Sequence, residues 1–236
     1  MPADPITLAE LRTGTGVLVG DTSSTAQTDI DRVVNESYIE LANRRAYWRM
    51  RSTTITLTSG TLAYDLPSSF DSIFRLYYRQ SGQYKDVEVV SDSQWLDVSA
   101  TRAADAGYPK YARITQTSAT LNRVELTPPP SSGFISNVSS TLTLEYFIEI
   151  TRLSSATDEP ILPANLRHHI IYLAGYKYSL FQGDNNLADR LKPDAIFAKA
   201  EILKNDLTRT GRPRQLRPRG RYWPQQVGVT LDYGEA

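Results

Sequence analysis

Thr54-Ile55-Thr56-Leu57-Thr58-Ser59-Gly60-Thr61-Leu62-Ala63-Tyr64-Asp65-Leu66-Pro67 is the stretch that decides the fold class of this chain. Polar and apolar residues alternate on either side of Ser59-Gly60, which is the period of a half-buried strand. Ser59-Gly60 is a turn signal and Pro67 a stop, so the stretch predicts the two strands of a hairpin. Just upstream the period is different. Ile30, Val33, Val34, Tyr38, Leu41 and Trp48 recur at helical spacing behind Thr28 or Asp29 as N-cap, and Asp31, Glu36, Glu40 and Arg44 take the other face. A helix therefore gives way to strands near residue 50.

Further along, Ile73 to Tyr78, the turn Ser81-Gly82 and Lys85 to Val90 predict a second hairpin. Ser91 is the N-cap of a short helix running to about Ala104, with Trp95, Leu96 and Val98 apolar. Tyr111 to Thr115, Asn122 to Leu126 and Thr141 to Ile150 are strand candidates, the last two separated by the stiff loop Pro128-Pro129-Pro130-Ser131-Ser132-Gly133. Helical spacing returns after Pro163, with Leu166, Ile170, Leu173, Ala174, Tyr178 and Phe181 on one face. Beyond the turn Gly183-Asp184-Asn185, a last helix places Leu187, Leu191, Ala195, Ala198, Ile202 and Leu203 on one side, and Pro193 kinks it or marks its start. On the N-terminal side, Thr7 to Arg12 predicts one helical turn, and Gly14-Thr15-Gly16 and Asp21 to Thr25 read as loop.

This order predicts an α+β chain. N- and C-terminal helices (1–50 and 158–210) form one antiparallel helical bundle, an antiparallel β-sheet region with one short helix (51–157) is inserted between them, and 211–236 is an extended C-terminal arm.

Composition narrows the chemistry. None of the 236 residues is cysteine, which excludes disulfides, thiolate metal sites and a cysteine nucleophile, and fits a reducing cytoplasm. No basic-then-apolar leader opens the chain, and no apolar run reaches the ~18 residues that span a bilayer. Lys+Arg and Asp+Glu balance at 26 each, so no whole-molecule field draws in nucleic acid.

The motifs with chemical potential are few. Gly14-Thr15-Gly16-Val17-Leu18-Val19-Gly20 is glycine-rich but lacks the preceding strand and the lysine of a phosphate loop. His168 and His169 are adjacent on a helix, about 100° apart, and read as a surface or interface pair and not as metal ligands. No Gly-x-Ser-x-Gly elbow occurs, and Asp158 and Glu159 suit a helix start, where acids meet the positive end of the dipole. No cofactor, metal site or catalytic residue is expected.

The arm is where the charge is uneven. Arg212, Arg214, Arg217, Arg219 and Arg221 fall within ten residues with no acid between them, followed by Tyr222, Trp223, Val227, Val229, Leu231 and Tyr233. Spaced arginines beside aromatics suit nucleic-acid binding, which makes a DNA-binding module the alternative reading. A solvated end is the plainest one. A partner-docking arm accounts best for the large apolar groups: Trp, Tyr and Arg are interface anchors, and Val227-Gly228-Val229-Thr230-Leu231 alternates as a strand added to a sheet edge does.

The order of segments also resembles the head-to-tail adaptor (connector) proteins of tailed bacteriophages, tail tubular protein A type among them. The residues that carry this are Asn35-Glu36-Ser37-Tyr38-Ile39-Glu40-Leu41-Ala42 with Tyr47-Trp48-Arg49, Thr61 to Phe70, Leu76-Tyr77-Tyr78, Leu126 to Pro130, Leu144-Glu145-Tyr146-Phe147 and Asp158 to Pro163. What the resemblance implies is a structural virion protein of the neck. It would form a homo-oligomeric ring, typically of twelve copies, between the portal protein and a tail, nozzle or stopper protein. Double-stranded DNA would pass through the lumen without specific binding. The C-terminal segment would dock on the portal, and there would be no active site and no membrane contact.

Overall fold

The structure is a computed structural model and describes residues 7–43, 46–100, 107–118 and 121–209. The arm residues Arg212, Arg214, Arg217, Arg219, Arg221, Tyr222, Trp223, Val227, Val229, Leu231 and Tyr233 lie outside the described residues, as does Arg44.

The chain opens with α1 (Leu8–Val19) and α2 (Gln27–Ala42), and a single 3-10 turn (Tyr47–Arg49) leads into β1 (Met50–Thr56). Then follow β2 (Ala63–Asp65), β3 (Phe70–Gln80), β4 (Gln83–Asp86), β5 (Glu88–Val89), α3 (Asp92–Ala100), β6 (Tyr111–Ser118), β7 (Leu121–Thr127), α4 (Ser132–Asn137) and β8 (Thr141–Ile148). It closes with α5 (Ala164–Gln182) and α6 (Asn185–Arg209). The mixed α+β class predicted from periodicity is what the chain adopts.

Two hydrophobic clusters organise it. The first joins Leu8 and Leu11 of α1, Ile30, Val33, Val34, Tyr38 and Leu41 of α2, Leu166, Ile170 and Leu173 of α5, and Ala195 and Ile202 of α6, with Trp48 and the returning Leu153 and Leu162. The second joins Ile55, Leu76, Leu142 and Leu144 of one sheet to Ala112, Val124 and Leu126 of the other, closed by Phe134 of α4.

α1 corrects the loop expected at Gly14-Thr15-Gly16, because the helix runs straight through it. Its start is set by a capping box: the Thr7 amide donates to Glu10 Oε2 at 2.7 Å and the Glu10 amide to Thr7 Oγ1 at 3.4 Å. Gly20, at φ 72°, ends it. The glycines serve close packing. A Cβ on Gly14 would lie 2.7 Å from Ile171 Cδ1, and one on Gly175 of α5 would lie 2.8 Å from Leu18 Cδ2. α2 begins one residue before the expected caps, after Ala26, and ends before Trp48, which stays in the same core from the 3-10 turn. α6 starts at Asn185 and contains Pro193, so the proline does not mark its start. Asp184 caps it, accepting the Leu187 amide at 3.0 Å.

The sheets correct a second expectation. Strands β1 and β2 do not form a hairpin. β1 pairs antiparallel with β8, from Met50 opposite Phe147 to Thr56 opposite Thr141, and β2 pairs with β7. Ser59-Gly60 therefore carries the chain from one sheet, ordered β1-β8-β3-β4, to the other, ordered β2-β7-β6-β5. Alternation sets which face of a strand is apolar and is blind to the partner. The hairpin expected around Ser81-Gly82 does form as β3 and β4, with φ of 48° and 80° at the two turn residues, the primed geometry that matches strand twist. The β region is not wholly antiparallel either: α3 makes a crossover that sets β5 parallel to β6. α4 starts at the last two residues of the stretch expected as stiff loop and runs on to Asn137; Ser131 caps it, accepting the Phe134 amide at 3.0 Å.

One side chain joins the helical part to the sheets. Arg49, 3% exposed, donates Nε and Nη2 to the Ile148 carbonyl at 2.9 and 2.8 Å, and Nη2 to Asp71 Oδ2 at 2.9 Å. It thereby ties the end of β8 and the start of β3 to the turn that leaves α2.

Two outcomes follow. Gly16→Ala destabilises the fold by about 1–2 kcal/mol in urea unfolding. The new Cβ would meet the Asp21 carbonyl oxygen at 2.9 Å, and overpacking of ~1–3 kcal/mol outweighs the ~1 kcal/mol helix-propensity gain; a stability gain refutes this. Arg49→Lys lowers stability by about 2–3 kcal/mol in the same assay, since an ammonium cannot supply the fork and leaves the Ile148 carbonyl short of donors.

Candidate interaction surface

The predicted helical faces were mostly right in their buried residues and missed an open side. Along α6, Ala188, Leu191, Ala195, Ala198 and Ile202 are buried. Ile196 and Phe197 are 59% and 58% exposed, and Leu203, expected in the core, is 42% exposed. Ile196 and Leu203, at i and i+7, share one exposed apolar stripe, and Phe197 beside them leans onto His169 of α5. On α5, Leu180 and Phe181 are also exposed, and Phe181, expected on the core face, instead lies under the Arg32 guanidinium, 4.3 Å from its ring centre. Leu96 of α3 likewise faces out, while its neighbour Trp95 is buried with Arg113 stacked 5.0 Å from its ring. Exposed apolar side chains that share a helix face, as Ile196 and Leu203 do, make a candidate surface for another protein to cover.

The histidine pair sits beside this stripe. His168 is exposed as expected, but His169 is buried at 4% exposure, which corrects the surface reading of it. The two rings approach to 3.9 Å, closer than a 100° separation on the helix suggests, and His169 also lies 6.1 Å from the Phe197 ring. Burial, and then the neighbouring His168, lower the His169 imidazole from 6.5 to about 4, with Glu201 pulling the other way. His169 is neutral near pH 7, with Nδ1 buried and unpartnered among the described residues. The described residues contain no group of three or more His, Asp or Glu placed to hold a metal ion.

The acids expected at a helix start, Asp158 and Glu159, have other structural partners. Asp158 accepts the Ser154 and Ser155 amides at 2.7 and 2.8 Å, and these bonds, that from Ser155 foremost, lower its carboxyl below the usual range. Glu159 pairs with Arg167 at 2.8 Å. Both precede α5 by several residues, so neither sits in its first turn as expected; they shape the loop that delivers it. That loop also satisfies α1, whose Leu8 and Ala9 amides donate to the Asp158 and Ala156 carbonyls at 2.9 and 3.0 Å. Beside the glycine-rich helix lies a cleft of about 230 Å³ lined by Arg12, Asp21 and Gln27 among others. Its one guanidinium, on Arg12, is turned onto Asp31 with two 2.6 Å bonds.

Charge also knits the helices. Glu40 of α2 takes Lys177 of α5 at 2.8 Å and Lys199 of α6 at 2.5 Å. Burial alone would raise its carboxyl, and the two lysines outweigh that and lower it. Asn35, also on α2, accepts the Leu153 amide at 2.7 Å and donates to the Leu153 carbonyl at 3.1 Å.

A mixed α+β body with a second, uncovered apolar stripe on its last helix is the form of a subunit made for contact with other proteins. The family model of SU10 adaptor protein matches residues 6–221, and the chain belongs to that family, whose members are structural head-to-tail adaptors of phages and not enzymes. Among solved structures, a chain from the "neck of empty GTA particle computed with C6 symmetry" is 14% identical, with 75% of this chain and 80% of that chain covered and a TM-score of 0.30, a likeness too slight to argue from. No curated protein matches. No helix among the described residues is long and apolar enough to cross a membrane.

Acid should find His169 first. Its folded value is depressed, so its stabilising contribution is complete above about 6.5 and is lost as pH falls through about 4. Melting temperature is expected to drop more steeply between pH 6.5 and 4 in the natural chain than in His169→Phe; parallel curves would refute this.

Proposed function

We propose that this chain is the ring-forming subunit of a phage neck, set between the portal and a tail, nozzle or stopper protein. The observation that carries the proposal is the reach of the family match, from residue 6 to residue 221, which takes in both the described body and the five arginines Arg212, Arg214, Arg217, Arg219 and Arg221.

In this reading the helical part (1–50 and 158–210) and the β part (51–157) act as two domains, and 211–236 is the docking arm. The ring has about twelve copies, of the tail tubular protein A type. The apolar stripe of Ile196 and Leu203, with Phe197 beside it, supports it, since a closed ring buries one face of each copy against a different face of the next. Zero net charge supports it too: DNA passing through a neutral ring is not held by its phosphates. The arm docks on the portal through its arginines with Tyr222 and Trp223 as aromatic anchors, and Val227, Val229, Leu231 and Tyr233 follow them.

The test is native mass spectrometry and electron microscopy of the full chain mixed with its portal. The full chain is expected to add a closed ring to the portal. The chain lacking Arg212 to Ala236 is expected to keep its circular dichroism and melting temperature and to lose portal binding at least tenfold. Undiminished binding after truncation refutes the arm, and no co-assembly of the full chain refutes the adaptor role.

A further inference from the structure

Among the described residues the two sheets end in four edge strands, and they are not alike. β2, β5 and β4 have three, two and four residues, and β4 carries Lys85, the kind of charge that guards an edge. β1 has seven residues, Met50–Thr56, with neither lysine nor proline. The Leu57 amide donates to the Ser140 carbonyl at 2.9 Å, which sets the phase of the ladder. Residues 51, 53, 55 and 57 turn their backbone groups to β8, and 50, 52, 54 and 56 turn theirs outward. Arg51 Nη1 covers the first outward carbonyl, that of Met50, at 2.9 Å. Ser52, Thr54 and Thr56 are left with outward amides and carbonyls that take no partner among the described residues. Bare edges of this length are where another extended segment adds.

The geometry points to one occupant: Val227-Gly228-Val229-Thr230-Leu231 from a neighbouring copy of this chain, added as a fifth strand beside β1. Three observations converge on it. The segment alternates with the same period as β1, whose Ile55 is buried on the core side while Ser52, Thr54 and Thr56 are exposed on the other. Laid along β1, Val227, Val229 and Leu231 extend the apolar face of Ile55 and Leu57, and Gly228 and Thr230 lie with Thr54 on the solvent face. The segment also lies past residue 221, where the family match ends, and past the five arginines proposed to dock on the portal, so one arm has room for both contacts. Lastly, residues 210 to 226, between the end of α6 and the segment, extend to at most about 60 Å. That exceeds the roughly 45 Å width of a body this size, so the strand reaches the next copy. The arm thereby laces neighbours in a head-to-tail sense, the contact type that closes rings. This inference rests on the adaptor reading and names the partner of the arm's last part.

The chain has no cysteine, which gives a clean test. Thr54→Cys and Thr230→Cys are placed in one full chain, assembled on the portal and oxidised. The expected result is a ladder of covalent oligomers on denaturing gels, and covalent dimers when the two single variants are mixed. Thr54→Cys with Val229→Cys is expected to bridge at least tenfold less, because those side chains lie on opposite faces. A bridge closed within one chain, no bridge in a ring that microscopy shows to be formed, or equal bridging by both pairs would each overturn the proposal. A chain that forms no ring at all sinks the adaptor reading instead, and microscopy of the same samples separates the two failures.

Discussion

Arg49 is the constraint on which the rest of the molecule depends. A helical cluster and a β cluster meet where the chain leaves α2, and the guanidinium fills that junction with donors that the local backbone requires. The Ile148 carbonyl, at the end of β8, takes two of its N–H groups, and Asp71, at the start of β3, takes another. A planar five-donor fork can meet acceptors on two strands at once, which a point-charge ammonium cannot. Burial at 3% exposure makes each of these bonds costly to lose, so the angle between helices and sheets is held by chemistry and not by shape alone.

The segment from Asn35 to Arg49 shows why a short motif can identify a family. Each of its distinctive residues reaches far along the chain. Asn35 clamps Leu153, the Tyr38 hydroxyl accepts the Ile161 amide at 3.4 Å, Glu40 gathers Lys177 and Lys199, and Arg49 holds Ile148. These contacts bring the returning strand and the two last helices back onto α2. A substitution at any of them is felt more than a hundred residues away or nearly so; for Asn35, Tyr38 and Arg49, which are buried, a lost polar partner has no substitute.

The outer surface follows a different logic. Ile196, Phe197 and Leu203 leave much of their apolar surface open in one copy, and a bare β1 edge is a liability to a free monomer. Both make sense for a subunit of the SU10 adaptor family, whose members work in contact with others. His169, buried beside Phe197 and kept neutral, puts a group that must charge in acid directly under that surface.

What the sequence determined by itself was the class, the family and most of the buried face of each long helix. Period changes near residue 50 and residue 163 marked where helix gives way to strand and back, and Ile30 to Leu41 named a real core face, because burial of one side is a local pattern that survives any choice of partner. The sequence suggests docking for the arm's residues, which lie outside the described residues. Only the tertiary structure decided which strand pairs with which, that Gly14-Thr15-Gly16 is packed helix, that Leu203 and Phe181 face out, and that β1 ends a sheet unguarded. The physical reason is the same in each case. Periodicity reports how much of a residue is hidden, whereas pairing, close glycine contact and open edges depend on residues distant in the chain whose approach is set by the whole fold.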